Sequence, residues 1–366
     1  MRHRLAEAKR ANGSGHYLHQ SALLRHVTTA DQRFVKEIAV QYNTNFEQPI
    51  VKTPYFIHNI ELTNKCIMRC TICPRTYSMT RSQGFMSVDT FKSIVDQYVC
   101  DNPQASSTHV WLHHFGESLL HPHFDDCIAY MRDKGLRPAL SLNPIMLSKT
   151  ISKRLLKSRP YLLYLSLDGG DETSFAAIRG VSNVFEQSKK NIMKFLEEKL
   201  KNIQTYDAIT NLSIISIDGQ EENILRAKQY WDSIPGIDNV FVKPFTNWNG
   251  DVDKISEKSH IEDATGPCKT VFHKMTIAWD GKVLPCCYDY DAKYILGNVK
   301  HQKLSEIWNG GAMQALRKEF LSAEITADLC IKCSSGGKFF EKLKLIQLER
   351  IHKIKEQLRA SKFRQV

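Results

Sequence analysis

Three cysteines, Cys66, Cys70 and Cys73, fall within one short run, Cys66-Ile67-Met68-Arg69-Cys70-Thr71-Ile72-Cys73. Thiolate is a soft ligand that suits iron–sulfur clusters, and a four-iron cluster normally takes four cysteines. Three thiolates at C-x3-C-x2-C spacing therefore leave one iron of such a cluster without a protein ligand. An open metal position is where chemistry is done, by the logic that separates catalytic from structural zinc. The same short spacing also occurs in zinc knuckles, so the run alone leaves both kinds of site open.

The elements around the run must hold it in place. Phe56 to Leu62 alternates and is rich in strand formers, and it leads straight into the cysteine loop. Val88 to Val99 has a helical apolar face, with Ser87 as N-cap. Further strands are expected at Val110–Phe115, Ala139–Leu142, Tyr161–Leu167, Leu212–Ile217 and Val240–Val242. Helices are expected between them at Phe124–Lys134, Lys149–Ser158, Asn183–Lys199 and Glu221–Trp231. Strands alternating with helices argue for a parallel sheet. Barrel enzymes of this kind place function at the C-terminal ends of strands. At those ends lie Gly116 and Glu117, Ser141 and Asn143, and Ser166 and Asp168; Arg179 follows in Ile178-Arg179-Gly180. A Glu in that position is also a helix cap in many proteins, and Ser-x-Asp-Gly is also a common turn.

The cysteine spacing and the order of these residues together resemble the radical S-adenosylmethionine (radical SAM) superfamily. The resemblance implies a partial (β/α)6 TIM-like barrel of α/β class. It implies that S-adenosylmethionine chelates the open iron of a [4Fe–4S] cluster held by Cys66, Cys70 and Cys73, and yields a 5′-deoxyadenosyl radical. Gly116-Glu117 resembles the family's GGEP turn beside the methionyl amino group, with Phe115 and Ser118 departing from the common letters. Ser166 and Asp168 resemble the ribose-contact motif. Arg179 resembles the residue that fixes the SAM carboxylate, for which a guanidinium fork is suited. Ile72 stands where the family often has an aromatic residue.

A second cysteine set lies past the barrel. Cys268 precedes Asp280-Gly281, a two-residue hairpin signal, then Cys286, Gly297-Asn298-Val299, Leu304 to Trp308, Cys330 and Cys333. The pattern resembles the SPASM/twitch extension, which implies one auxiliary [4Fe–4S] cluster on Cys268, Cys286, Cys330 and Cys333. A structural zinc on the same four cysteines is the alternative that spacing permits. Of the rest, Cys100 and Cys127 sit on helix patterns and are expected in the core. Cys287, beside a ligand, is the candidate hydrogen donor. His113 and His114, neighbours in an expected strand, should point to opposite faces and not line one site together.

The chain of 366 residues carries a formal charge of +11. From Lys338 to Val366 it has nine Lys/Arg against three Glu, so the charge is concentrated there and a spread nucleic-acid footprint is not indicated. No run approaches the ~18 apolar residues of a membrane span, and the N-terminus has no secretory signal. Ten cysteines read as metal ligands of a reducing cytosol, so a cytoplasmic enzyme is expected. The expected layout is an N-terminal extension over 1–50, the barrel over 51–250, the cluster-binding domain over 260–337 and a basic terminal helix over 338–366.

Two reaction classes fit. One is oxidation of a small sugar-like or aminocyclitol alcohol, with the auxiliary cluster taking the second electron. The other is crosslinking or epimerisation of a ribosomal peptide. Either needs a reductant such as flavodoxin or ferredoxin.

Overall fold

The computed structural model describes residues 48–333 apart from 203–204, 217, 245–247, 249–267, 323 and 332. All but residues 48–50 of the expected N-terminal extension, and the whole expected basic terminal helix, lie outside the described residues.

One nine-stranded sheet organises the chain. Its strands are β1 Phe56–Ile60, β2 His109–Trp111, β3 Arg137–Leu142, β4 Leu162–Ser166, β5 Ile209–Ser216, β6 Asn239–Pro244, β7 Lys274–Ile277, β8 Lys282–Leu284 and β9 Gly297–Asn298. Their order is β6-β5-β4-β3-β2-β1-β7-β8-β9. The six strands from β1 to β6 run parallel and in sequence, which is the partial barrel. β7 then pairs parallel with the free side of β1, matching Phe56 to Lys274 and Ile60 to Ile277. β8 and β9 continue antiparallel. The cysteine-bearing C-terminal segment is thus stitched into the barrel's own sheet through its first strand.

Local chemistry explains the helices. Val88–Asp101 starts where the Ser87 side chain accepts from the Thr90 N–H and buries Phe91, Ile94, Val95 and Tyr98. Lys149–Ser158 begins at Ser148 in the same way. An additional helix, Glu172–Arg179, comes from a capping box between Asp171 and Ser174 and a stop at Gly180, φ 66°. Periodicity alone passes over it because it has only eight residues.

Two expectations need correction. The hairpin loop has three residues, not two. Ala278 N–H donates to the Lys282 carbonyl, Gly281 N–H donates to the Ala278 carbonyl, and Gly281 sits at φ +89°. That is a turn closed by a left-handed glycine bulge, and it adds Trp279 to the loop. Cys100 is exposed, whereas Cys127 is buried as expected. Helical spacing put Cys100 near the buried stripe, but it lies past the edge of that stripe, which ends at Tyr98.

Candidate functional site

The cysteine loop leaves β1 and is clamped from the far side of the barrel. Thr71 N–H donates to the Ile178 carbonyl at 3.0 Å and its hydroxyl to the Ala177 carbonyl at 2.8 Å, both on the helix that ends at Arg179. Gly180 is required there, since a Cβ would stand 2.1 Å from the Arg69 carbonyl oxygen. Arg75 closes the loop onto the Met68 carbonyl. Burial pushes the Cys73 thiol up to about 12 and raises Cys66 as well. Such thiols stay protonated until a metal takes the proton's place.

The three thiols form one wall of a cavity of about 360 Å³, a size typical of ligand sites. The opposite wall is the strand tips. All seven residues expected to touch the cofactor reach it: Gly116, Glu117, Ser141, Asn143, Ser166, Asp168 and Arg179. Gly116 approaches the first strand's loop so closely that a Cβ would lie 2.0 Å from the Thr63 carbonyl oxygen. Its neighbour Glu117 is buried. The carboxylate accepts from Asn143 N–H at 2.8 Å and from Leu119 N–H at 3.2 Å. It is therefore a cap and a cavity wall at once. Burial pushes its pKa up to about 7 against the pull of those two donors and of Arg179.

Asp168 and Arg179 form a buried ion pair at 2.8 Å. Asp168 also accepts from Ile215 N–H at 3.0 Å and sits at φ 41°, a left-handed backbone that costs an Asp roughly 1 kcal/mol. Arg179 donates further to the Ser166 carbonyl and faces Cys70 Sγ at 3.7 Å. The Ser141 and Ser166 hydroxyls are 2.9 Å apart, and Ser213 adds a third at 3.3 Å. Two buried nitrogens on this wall, Asn143 Nδ2 and Arg179 Nε, have no partner. Orphaned donors cost about 1–3 kcal/mol each, and a carboxylate- and hydroxyl-bearing ligand such as S-adenosylmethionine would satisfy them.

Contrary to expectation, His113 and His114 both line the cavity. β2 ends at Trp111, so strand alternation no longer governs them. His113 Nδ1 accepts from Ser141 N–H at 3.2 Å, which leaves the proton on Nε2. Burial holds both imidazoles neutral, at about 3 for His113 and about 4 for His114.

A second, smaller cavity is ringed by Cys268, Cys286, Cys330 and Cys333, with Tyr288 and Phe320 among its walls. Burial raises the Cys268 and Cys330 thiols. Among the described residues no three His, Cys, Asp or Glu side chains converge on a point that would suit one metal ion. Four soft thiols around one void are ligands that an iron–sulfur cluster takes.

The two cavities are joined by structure. Buried Glu61, just past β1, takes both Arg81 Nη groups at 2.6 Å and the N–H groups of Phe115 and Trp279 at 3.2 and 3.1 Å. Burial favours the neutral acid, but Arg81 and the other donors outweigh it and hold Glu61 below its ordinary pKa. Trp248 reaches the Ile72 carbonyl at 2.7 Å, and its ring lies 5.0 Å from Phe115 and 5.6 Å from Tyr288. Cys287 lines neither cavity among the described residues, but its carbonyl accepts from His114 Nε2. Sequence reasoning missed Glu61, Arg81, Trp248 and Lys243. Only Lys243 carried a signal, as a cation on the expected strand tip.

The profile of the radical SAM superfamily matches residues 60–222, and that of the SPASM iron–sulfur cluster-binding domain matches 268–334. The AdoMet-dependent heme synthase of Nitratidesulfovibrio vulgaris is 31% identical over 133 residues, 36% of this chain and 35% of its own length, so the match spans about a third of that relative. The S-adenosyl-L-methionine-dependent 2-deoxy-scyllo-inosamine dehydrogenase of Niallia circulans is 20% identical over 279 residues, 75% of this chain and 91% of its own length. Streptococcus suis SuiB bound to precursor peptide SuiA superposes with a TM-score of 0.60 at 15% identity, covering 83% of this chain and 74% of SuiB. At that identity the likeness is one of fold.

Proposed function

Because the chain belongs to the radical SAM superfamily and carries an iron–sulfur cluster-binding SPASM domain, we propose that it oxidises a small polyhydroxylated alcohol by two electrons. When bound, S-adenosylmethionine and its [4Fe–4S] cluster supply a 5′-deoxyadenosyl radical, and the auxiliary cluster supplies a sink for the second electron. Cys66, Cys70 and Cys73 hold the first cluster; Cys268, Cys286, Cys330 and Cys333 hold the auxiliary one. With S-adenosylmethionine bound, Glu117 would accept from the methionyl ammonium, Asn143 Nδ2 and Arg179 would donate to its carboxylate, and Ser166 would meet the ribose.

The observation that carries this reading is the continuous path between the two cavities. β1 ends at the open-cluster loop, and β7, which leads to the other thiols, is its hydrogen-bonded neighbour. An electron leaving a substrate radical in the larger cavity has Phe115, Trp248 and Tyr288 in ring contact toward the second. The serine tips suit hydroxyls. The dehydrogenase relative, matched over 91% of its length, acts on an aminocyclitol by name. In the oxidation a hydrogen atom, an electron and a proton leave one carbinol, so one S-adenosylmethionine is spent per ketone. A reductant such as flavodoxin or ferredoxin starts each turnover, in a reducing cytoplasm. No helix among the described residues is long and apolar enough to cross a membrane.

The test uses anaerobically reconstituted protein, dithionite, S-adenosylmethionine and a panel of C-deuterated polyols and aminocyclitols. Deuterium should appear in 5′-deoxyadenosine with an equal amount of ketone. Turnover in which the substrate regains hydrogen at the same carbon would overturn the oxidation.

A further inference from the structure

The floor of the larger cavity is not electrically neutral. β6 carries Phe241-Val242-Lys243 just before its last residue, Pro244, and period-two alternation puts Phe241 and Lys243 on one face. Lys243 lines the cavity. Its ammonium lies 4.3 Å from the centre of the Tyr164 ring, which in turn stacks on Phe241 at 5.6 Å and meets Trp111 at 5.4 Å. The stem and the ring together fix where the charge sits.

Every other charge on this wall has a partner or sits apart. Arg179 and Asp168 bind each other. Arg75 is turned onto the Met68 carbonyl. Glu117 is capped by two backbone donors. Lys243 has no hydrogen-bond or ion-pair partner among the described residues; the nearest carboxylate, Asp168, is engaged by Arg179. Beside it, His113 must carry its proton on Nε2, because Nδ1 accepts from Ser141. The floor therefore offers a cation and an imidazole N–H, and the carboxylates of the same cavity, Asp168 and Glu117, are already held by Arg179 and by backbone donors.

We propose that Lys243, with His113 Nε2–H, is an oxyanion subsite that selects a substrate bearing a carboxylate or phosphate. This rests on the oxidation reading for the existence of a small substrate, and narrows it. A protonated aminocyclitol would meet a like charge at Lys243, while a sugar acid or sugar phosphate would meet a charge-assisted hydrogen bond.

The experiment is equilibrium dialysis of the reconstituted holoprotein with S-adenosylmethionine against glucuronate, glucose 6-phosphate, glucose and glucosamine. The two anions should be retained roughly tenfold better than glucose, and glucosamine least, as befits one charged hydrogen bond. Whichever anion leads names the source of the oxyanion. Lys243→Met should erase the preference and Lys243→Arg should restore much of it, while bound S-adenosylmethionine is unchanged in both. Equal retention of all four sugars, no retention of any, or a preference that survives Lys243→Met would overturn the proposal. Dithionite-driven 5′-deoxyadenosine formation is followed in parallel. If it is absent, the parent reading fails; if it is present without anion preference, only the subsite fails.

Discussion

His114 Nε2 lies 2.7 Å from the carbonyl oxygen of Cys287. A carbonyl only accepts, so Nε2 carries the proton and Nδ1 is bare, 3.6 Å from Glu61 and without a hydrogen-bond partner. His114 is a wall of the larger cavity, and Cys287 adjoins Cys286, a wall of the smaller one. One imidazole thus spans the partition between the two thiol sites. It is a positioning residue. His114→Phe should leave 5′-deoxyadenosine formation largely intact but lower the product formed per 5′-deoxyadenosine severalfold. An unchanged ratio would show that the bond does no more than fill the partition.

The two thiol sets should load independently. Reconstituted protein should hold about eight irons, from two four-iron clusters. Replacing Cys66, Cys70 and Cys73 together by Ala should leave about four irons and no 5′-deoxyadenosine. Iron near four with stoichiometric zinc in the wild type would make the C-terminal site a zinc site instead.

Gly116→Ala tests the close approach of two strand-end loops. The added Cβ would meet the Thr63 carbonyl oxygen at 2.0 Å, backbone that cannot rotate aside. The loops must part, at a cost of about 1–3 kcal/mol. S-adenosylmethionine affinity should fall at least tenfold, measured by dialysis, with both clusters retained. Wild-type affinity would mean that this turn does not shape the cofactor wall.

Glu117 gives a pH signature. Its folded pKa of about 7 is raised above the ordinary 4.5. A raised carboxylate contributes its stability fully below 4.5 and loses it as pH rises through 7. The difference amounts to about 3 kcal/mol. His58, His113 and His114 have lowered values and act in the opposite sense, gaining stability as pH rises toward their ordinary 6.5. The observable is therefore a difference. In unliganded protein, Glu117→Gln should gain on the wild type between pH 5 and pH 8 in urea melts. Parallel curves would show that Glu117 is already ionised at pH 5.

Much of this was legible in advance, for identifiable reasons. The barrel strands announce themselves because buried parallel strands are continuously apolar, as Leu162, Leu163 and Leu165 are. That the seven expected residues would share one cavity was legible because all but Arg179 follow one another on strand ends in chain order. What escaped was set by tertiary contact. Glu61 looks like one polar residue of an alternating strand, and nothing local says that Arg81 will meet it. His113 and His114 were misread because β2 stops two residues before His113, a boundary that periodicity does not fix. Lys243 is an ordinary lysine until Tyr164, on a different strand, is placed beneath it.

Cys287 separates oxidation from epimerisation. An epimerase must return a hydrogen atom to the substrate carbon, and a thiol is the usual source. An oxidase must instead release an electron and a proton. The Cys287 side chain lines neither cavity among the described residues, and what the residue presents toward the larger one is its carbonyl, bound to His114. Cys287→Ala should therefore keep most of the activity, with one S-adenosylmethionine consumed per ketone and no solvent deuterium at the reacting carbon. Activity lost in Cys287→Ala, together with product that carries solvent deuterium, would make this thiol the hydrogen donor and the reaction an inversion.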